Sequence, residues 1–258
     1  MPRFAANLTM LFTERPFLDR FAAAARAGFE AVEFLFPYAF EKAELKAALT
    51  SNHLTLVLHN LPAGNWEKGD RGIACDPQRR AEFREGVTKA IEYATALGCK
   101  QLNCLAGIVA PGDAAIAHET LVDNLKFAAP ALAAAGLTLL LEPVNTRDIP
   151  GFFVNRSAQA LAIIDEVGAP NLKLQYDIYH AQVMEGDLAR TIETNLARIS
   201  HIQLADNPGR HEPGTGEINY QYLFRRIDEL GYTGWIGCEY KPATETEAGL
   251  GWRASLNR

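Results

Sequence analysis

The chain has 258 residues and a formal net charge of −6, from 25 Lys and Arg against 31 Asp and Glu. That balance argues against a general nucleic-acid surface, and the 48% apolar fraction is ordinary for a globular domain. The N-terminus MPRFAANLTMLF lacks a signal peptide's apolar run, no stretch reaches transmembrane length free of charge, and Cys75, Cys99, Cys104 and Cys238 form no CxxC pair; reduced thiols in a cytoplasmic protein are expected.

Taken in order, Phe4 to Leu8 is a strand candidate, and Phe17 to Ala27 is a helix that Gly28 terminates. Glu30 to Phe36 is a strand ending near Glu33, Glu41 to Leu49 a helix and His53 to His59 a third strand. A long loop follows at about 60–79, where Pro62, Gly64, Gly69, Gly72 and Pro77 rule out a regular element. Loops of this length in compact domains are more often functional than idle. Ala81 to Leu97 is a helix, Gln101 to Leu105 the fourth strand, Asp113 to Ala135 a helix and Leu137 to Glu142 the fifth strand. A helix from Ser157, read as its cap, to Val167 precedes the sixth strand, Leu172 to Asp177. Asp187 to Ala197 is helical, Ile199 to Ala205 is the seventh strand, Tyr220 to Leu230 a helix and Trp235 to Glu239 the eighth strand. The tail from about Tyr240 to Arg258 is expected to fold back on the domain.

Eight strands, each followed by a helix or helical tail, predict one α/β domain spanning 1–258, a (β/α)8 TIM barrel. No GxGxxG follows the first strand and no GxxxxGK[ST] occurs, which disfavours a doubly wound nucleotide-binding sheet.

The last four strands end in Glu142, Asp177, Gln203 and Glu239. Parallel barrel strands share a rim, so these groups converge there. Thr138, Leu140 and Glu142 share one parity, which lets Glu142 face inward. Gly237 leaves room beneath Glu239. Three carboxylates brought together without a cation repel. An all-oxygen set suits Mg2+ or Mn2+ better than zinc. Each group has a blander role singly, as cap or turn, and four aligned rim positions weigh against that. His180, three residues past Asp177, can reach a substrate oxygen, and His59 at the end of the third strand can face the same pocket. His201 shares the parity of Gln203 but lies deeper, which suits a structural role; His53 and His118 read as structural or exposed. Arg210, Lys241 and Arg71 are the alternatives for an anion clamp, among which the residues do not choose.

The chain resembles the hydroxypyruvate isomerases of the xylose-isomerase-like barrel superfamily almost end to end. The resemblance rests on FAANLTMLF (4–12), VEFLFPY (32–38), HNLPAGNWEKGDRGIAC (59–75), LLEPVN (140–145), LQYDIYH (174–180), HIQLADNPGRHEPGTGEINY (201–220) and GWIGCEYKP (234–242). It implies interconversion of hydroxypyruvate and tartronate semialdehyde without an organic cofactor. It also implies a catalytic pair at Glu142 and Glu239, and metal contacts at Glu142, Asp177, Gln203 and Glu239. Gln203 departs from the wider sugar isomerases and epimerases, where histidine is common. A sister group, resembling 2-oxo-tetronate isomerase, shares MPRFAANL and GWIGCEYKP, while the Arg71 loop and the PGTG run lean toward hydroxypyruvate. The expected partner is a small hydroxy-oxo acid, with no nucleic acid and no membrane; homo-oligomerisation is left open. Competing readings are a related ketose 3-epimerase, a metal-dependent endonuclease and a noncatalytic small-acid-binding barrel.

Overall fold

A computed structural model describes residues 2–255; positions 256–258 of the expected tail lie outside the described residues. The strands are β1 (Arg3–Asn7), β2 (Ala31–Glu33), β3 (Thr55–Asn60), β4 (Gln101–Cys104), β5 (Thr138–Leu141), β6 (Leu172–Asp177), β7 (Ile199–Leu204) and β8 (Trp235–Cys238). They are parallel and close in sequence order, with β8 pairing back onto β1. The expected (β/α)8 barrel is therefore the fold. The helices are α1 (Asp19–Arg26), α2 (Lys42–Ser51), α3 (Arg80–Leu97), α4 (Ala114–Ala134), α5 (Ser157–Val167), α6 (Ile178–Met184), α7 (Leu188–Asn195) and α8 (Tyr220–Glu229), followed by the short α9 (Thr246–Gly249) and α10 (Trp252–Ser255).

Alternation explains why the sheet closes. Ala5, Ala31, Leu58 and Leu140 are buried together with Trp235 packed against them, inside the barrel. Val32, Leu56, Leu102, Leu139 and Leu141 belong to the larger core between sheet and helices. A fully buried Leu or Phe side chain contributes roughly 1.5–3 kcal/mol, so this outer layer carries most of the apolar stabilisation.

Three local differences from the sequence reading have physical causes. Asp177 ends β6 and its Oδ1 accepts from Tyr179 N at 2.8 Å, so a helix (α6) starts where no element was expected. Ser157 is the first residue of α5, not its cap: Glu185 Oε1 accepts from Ser157 N at 2.8 Å and from its Oγ at 2.9 Å. The long β3–α3 loop contains single 3-10 turns at Trp66–Lys68 and Pro77–Arg79. At Gly72 (φ +117) a Cβ would lie 2.4 Å from Leu105 O, so only glycine lets this loop bridge to Ala106.

The tail packs as expected over its described part. Arg253 donates to the Ala27 and Gly28 carbonyls at 3.0 Å each, and the Trp252 ring stacks on Phe224 at 5.9 Å. Among the described residues, no helix is long and apolar enough to cross a membrane.

Candidate metal and substrate site

At or within one residue of the C-terminal end of each strand lies a buried polar group: Asn7, Glu33, Asn60, Asn103, Glu142, Asp177, Gln203 and Glu239, with Gln175 beneath Asp177. The β5–β8 half was expected. The β1–β4 half was not.

Asp177 supplies two functions from one carboxylate. Oδ1 is tied to the start of α6, which fixes the rotamer, and Oδ2 is buried with no partner. A carboxylate oxygen left so in the interior is costly unless a cation meets it. Donor atoms of Glu142, Asp177 and His180 all lie within 4.8 Å of one another, a triad able to chelate a divalent metal. Burial, and then the neighbouring Glu239 and Asp177, hold the Glu142 carboxyl well above its usual range. Burial likewise raises Asp177 to about 6 and Glu239 to about 8, against the lowering pull of Arg210 on both. Raised carboxyls crowded in this way are what a bound divalent cation relieves.

His180 is neutral and its tautomer follows from its partners. Asp148 N donates to Asn145 Oδ1 at 2.7 Å, which orients the amide; Asn145 Nδ2 then donates to His180 Nδ1 at 2.6 Å. The proton therefore sits on Nε2, 3.6 Å from Asp177 Oδ2. Burial first, then Arg210, pushes the imidazole well below its ordinary value.

Below this lies a second polar layer. Gln203 Nε2 donates to Glu239 Oε2 at 2.6 Å and to Glu33 Oε1 at 2.7 Å, while its Oε1 accepts from Gln175 Nε2 at 2.6 Å. Asn7 Nδ2 also bridges Glu33 (2.9 Å) and Glu239 (3.1 Å). His201 pairs with Glu33 Oε2 at 2.6 Å, in keeping with a structural role. Gly237 is needed for Glu33 rather than for Glu239: a Cβ there would lie 2.3 Å from both Glu33 carboxylate oxygens.

Of the three cations considered, only Arg210 enters the site. Its Nη2 donates to Glu239 Oε1 at 2.7 Å, its Nη1 lies 3.6 Å from Asp148 Oδ2, and its buried Nε has no partner. Burial lowers its pKa, but the surrounding Glu239, Asp177, Asp148 and Glu142 outweigh this and raise it. Its backbone is left-handed (φ +55), in a loop gathered around the Asp206 carboxylate, which accepts from the N–H groups of Asn207, Gly214, Gly216 and Ile218 at 2.9–3.0 Å. Lys241 is exposed, and its backbone N–H donates to Arg210 O at 2.8 Å. Arg71 folds its own loop, donating to Trp66 O (2.9 Å) and Asp70 O (2.7 Å) and lying 4.2 Å over the Trp66 ring.

The expectation that His59 faces the pocket is not met. The pairing of β2 with β3 shifts by one residue, so Glu33 sits opposite Leu58 rather than Val57. Beyond the shift His59 is level with Leu102 on the helix side, and Asn60 is level with Asn103 on the lumen side. His59 Nδ1 lies 3.1 Å from Asn60 O, its ring is 6.0 Å edge-on from Tyr38, and burial lowers its pKa to about 4. A one-residue slip exchanges the two faces of a strand.

The structure is a closed (β/α)8 barrel whose rim carries a triad able to hold a divalent metal, the architecture of a barrel-enzyme class. Residues 21–256 match the family described as xylose isomerase-like TIM barrel, and the chain belongs to that family. Hydroxypyruvate isomerase of Escherichia coli (strain K12) is 56% identical over 253 residues, covering 98% of each chain. A 2-oxo-tetronate isomerase of Cupriavidus necator is 54% identical, covering 98% of this chain and 97% of its own. A solved structure described as AP endonuclease, family 2, from Brucella melitensis is 48% identical over 99% of both chains, with a TM-score of 0.97.

Proposed function

We propose that this chain is a divalent-metal-dependent isomerase that interconverts hydroxypyruvate and tartronate semialdehyde. The observation that carries the reading is the pair Glu142 and Glu239. They stand on β5 and β8 beside Asp177, both with raised pKa values, and each keeps an amide hydrogen bond, from Asn103 and Gln203 respectively.

The reaction needs a proton taken from C3 of an α-hydroxy ketone and one returned at C2, while the hydroxyl proton passes between the two oxygens. Two carboxyls flanking a small ligand suit removal and delivery, provided each keeps an oxygen off the metal, because a cation favours the charged form and weakens the base. Glu142, Asp177, Gln203 and Glu239 would hold the metal, Mg2+ or Mn2+; His180 lies within reach of the same oxygens, but its Nε2 carries the proton and serves the substrate instead. The metal would polarise the substrate oxygens and stabilise the enediolate. His180, with its proton on Nε2, can donate to a substrate oxygen, and the unpartnered Nε of Arg210 can meet the substrate carboxylate. No organic cofactor enters this chemistry.

A second reading, 2-oxo-tetronate as substrate, is favoured by the nearly equal identity to that relative, 54% against 56%. The endonuclease reading is weaker: the rim arginine is held by Glu239 and Asp148, and the net charge of −6 provides no phosphate track.

The test is turnover of both acids with Mn2+ by Glu142→Gln and Glu239→Gln. Each variant is expected to lose isomerisation while binding survives. If Glu142 acts at C3, Glu142→Gln also loses solvent-deuterium exchange there and Glu239→Gln retains it; the reverse pattern reverses the roles. Near-normal turnover in both variants would reject the pair.

A further inference from the structure

The β3–β4 side of the lumen carries two buried amides that the reaction as described does not use. Asn60 is 1% exposed and Asn103 is fully buried, and they occupy registered positions on adjacent strands. Neighbouring strands lie about 4.8 Å apart, so the two side chains stand next to each other. Asn103 Nδ2 donates to Glu142 Oε2 at 2.7 Å. With Glu142 ionised, as it is when a cation sits beside it, that bond fixes the amide, because the amide oxygen cannot face a carboxylate. The remaining ends, Asn103 Oδ1 and Asn60 Nδ2, are buried and have no hydrogen-bond partner. Buried amide groups left unpaired are rare and costly, so the pair points to a ligand.

One acceptor and one donor, side by side, define the ligand's chemistry. A carbonyl or carboxylate oxygen would satisfy Asn60 but set a lone pair against Asn103 Oδ1. An ammonium would do the opposite. A hydroxyl does both: its oxygen accepts from Asn60 Nδ2 and its proton goes to Asn103 Oδ1. We propose that Asn60 and Asn103 form a hydroxyl-recognition subsite that holds a substrate hydroxyl beside Glu142. The inference rests on the hydroxy-oxo acid reading above and names the groups that select for the hydroxyl. Asn103 then links the bound hydroxyl to the carboxylate proposed to take the neighbouring proton. A water molecule is the competing occupant, since it offers the same donor and acceptor.

The discriminating ligands are glycerate and lactate. They differ only in a hydroxyl at C3, and neither has the carbonyl needed for isomerisation. Their dissociation constants are measured by calorimetry on the full chain, with and without Mn2+, for the native protein and for Asn60→Ala and Asn103→Leu. The native protein is expected to prefer glycerate on the order of tenfold or more, since a site built around a hydroxyl penalises its absence. Asn60→Ala is expected to reduce that preference to near unity, with lactate affinity and Mn2+ affinity unchanged. Asn103→Leu is expected to do the same for the two acids. Equal losses for glycerate and lactate would make the amides structural and overturn the proposal. A preference that survives in both variants would place the hydroxyl elsewhere and leave a water between the amides, overturning it as well. Failure of the function reading would look different: neither hydroxypyruvate nor 2-oxo-tetronate would turn over, whatever the glycerate preference.

Discussion

Removing the divalent metal should make stability fall as pH rises toward 8. The cause is the rim carboxyls. In the folded chain Asp177 is raised from 3.8 to about 6 and Glu239 from 4.5 to about 8, with burial the largest cause in both. The folded state therefore holds more protons than the unfolded state between pH about 4 and 8, and stability declines with pH across that window. Below it both states are protonated and the penalty disappears; above it the loss is complete for these two groups. At about 1.4 kcal/mol per tenfold, the Glu239 shift alone corresponds to about 5 kcal/mol and the Asp177 shift to about 3 kcal/mol. The two are coupled through shared neighbours and do not add, so the larger single shift, ~5 kcal/mol, is the working figure for the cluster. For a chain of this size that is on the order of a 10–20 °C drop in Tm. Saturating Mn2+ should contribute ~3 kcal/mol at about a hundred times its Kd, and more at pH 8 than at pH 5, because protons compete for the same oxygens. The assay is calorimetric melting in EDTA and in Mn2+ at pH 5, 6.5 and 8. Asp177→Ala serves as control and should weaken Mn2+ binding while keeping the fold. A metal-free Tm that is flat over this range, or equal stabilisation by Mn2+ at pH 5 and pH 8, would refute the reasoning.

Two further outcomes follow from the β7–α8 loop. Arg210→Ala should raise KM for hydroxypyruvate by roughly tenfold or more, as expected when a charge-assisted contact is lost, and far more than KM for uncharged dihydroxyacetone; equal effects in steady-state kinetics would remove Arg210 from carboxylate binding. Asp206→Ala leaves four loop N–H groups without their acceptor, so urea unfolding should show a loss of about 3 kcal/mol. Its kinetic defect should follow Arg210→Ala in KM, and a normal KM would show that the loop keeps Arg210 in place without it.

Half of the rim was legible because carboxylates stand out. Glu142, Asp177 and Glu239 interrupt apolar strands, and a buried acid needs an explanation wherever it falls. The other half was not. Asn7, Asn60 and Asn103 are small amides at strand ends, where a turn-forming role is the ordinary reading. Glu33 could have been found from parity, since Ala31 and Glu33 share a face of β2. His59 and Asn60 could not, because alternation alone gives His59 the lumen. The one-residue shift between β2 and β3 is a property of the pairing, set by two strands at once. The start of α6 was hidden for a related reason. One oxygen of Asp177 caps the helix while the other faces the site, and sequence patterns assign a residue one role at a time.

The composition of the ring also bears on how the site tolerates its charge. Four carboxylates face the lumen, and three of them lie with side-chain donors or a cation against them. Glu33 has His201, Asn7 and Gln203; Glu239 has Arg210, Gln203 and Asn7; Glu142 has Asn103. Asp177 differs, because its own Oδ2 has no hydrogen-bond partner. Amides on β1, β4 and β7 (Asn7, Asn103 and Gln203) stabilise the ionised acids without adding a fixed positive charge that would compete with a divalent cation for the same oxygens. A lysine at Asn103 would neutralise Glu142 outright and weaken both metal binding and proton transfer. The use of amides rather than cations beside these acids therefore has an electrostatic reason. It keeps the acids bound and oriented while leaving their negative charge available to the metal and to the reacting proton.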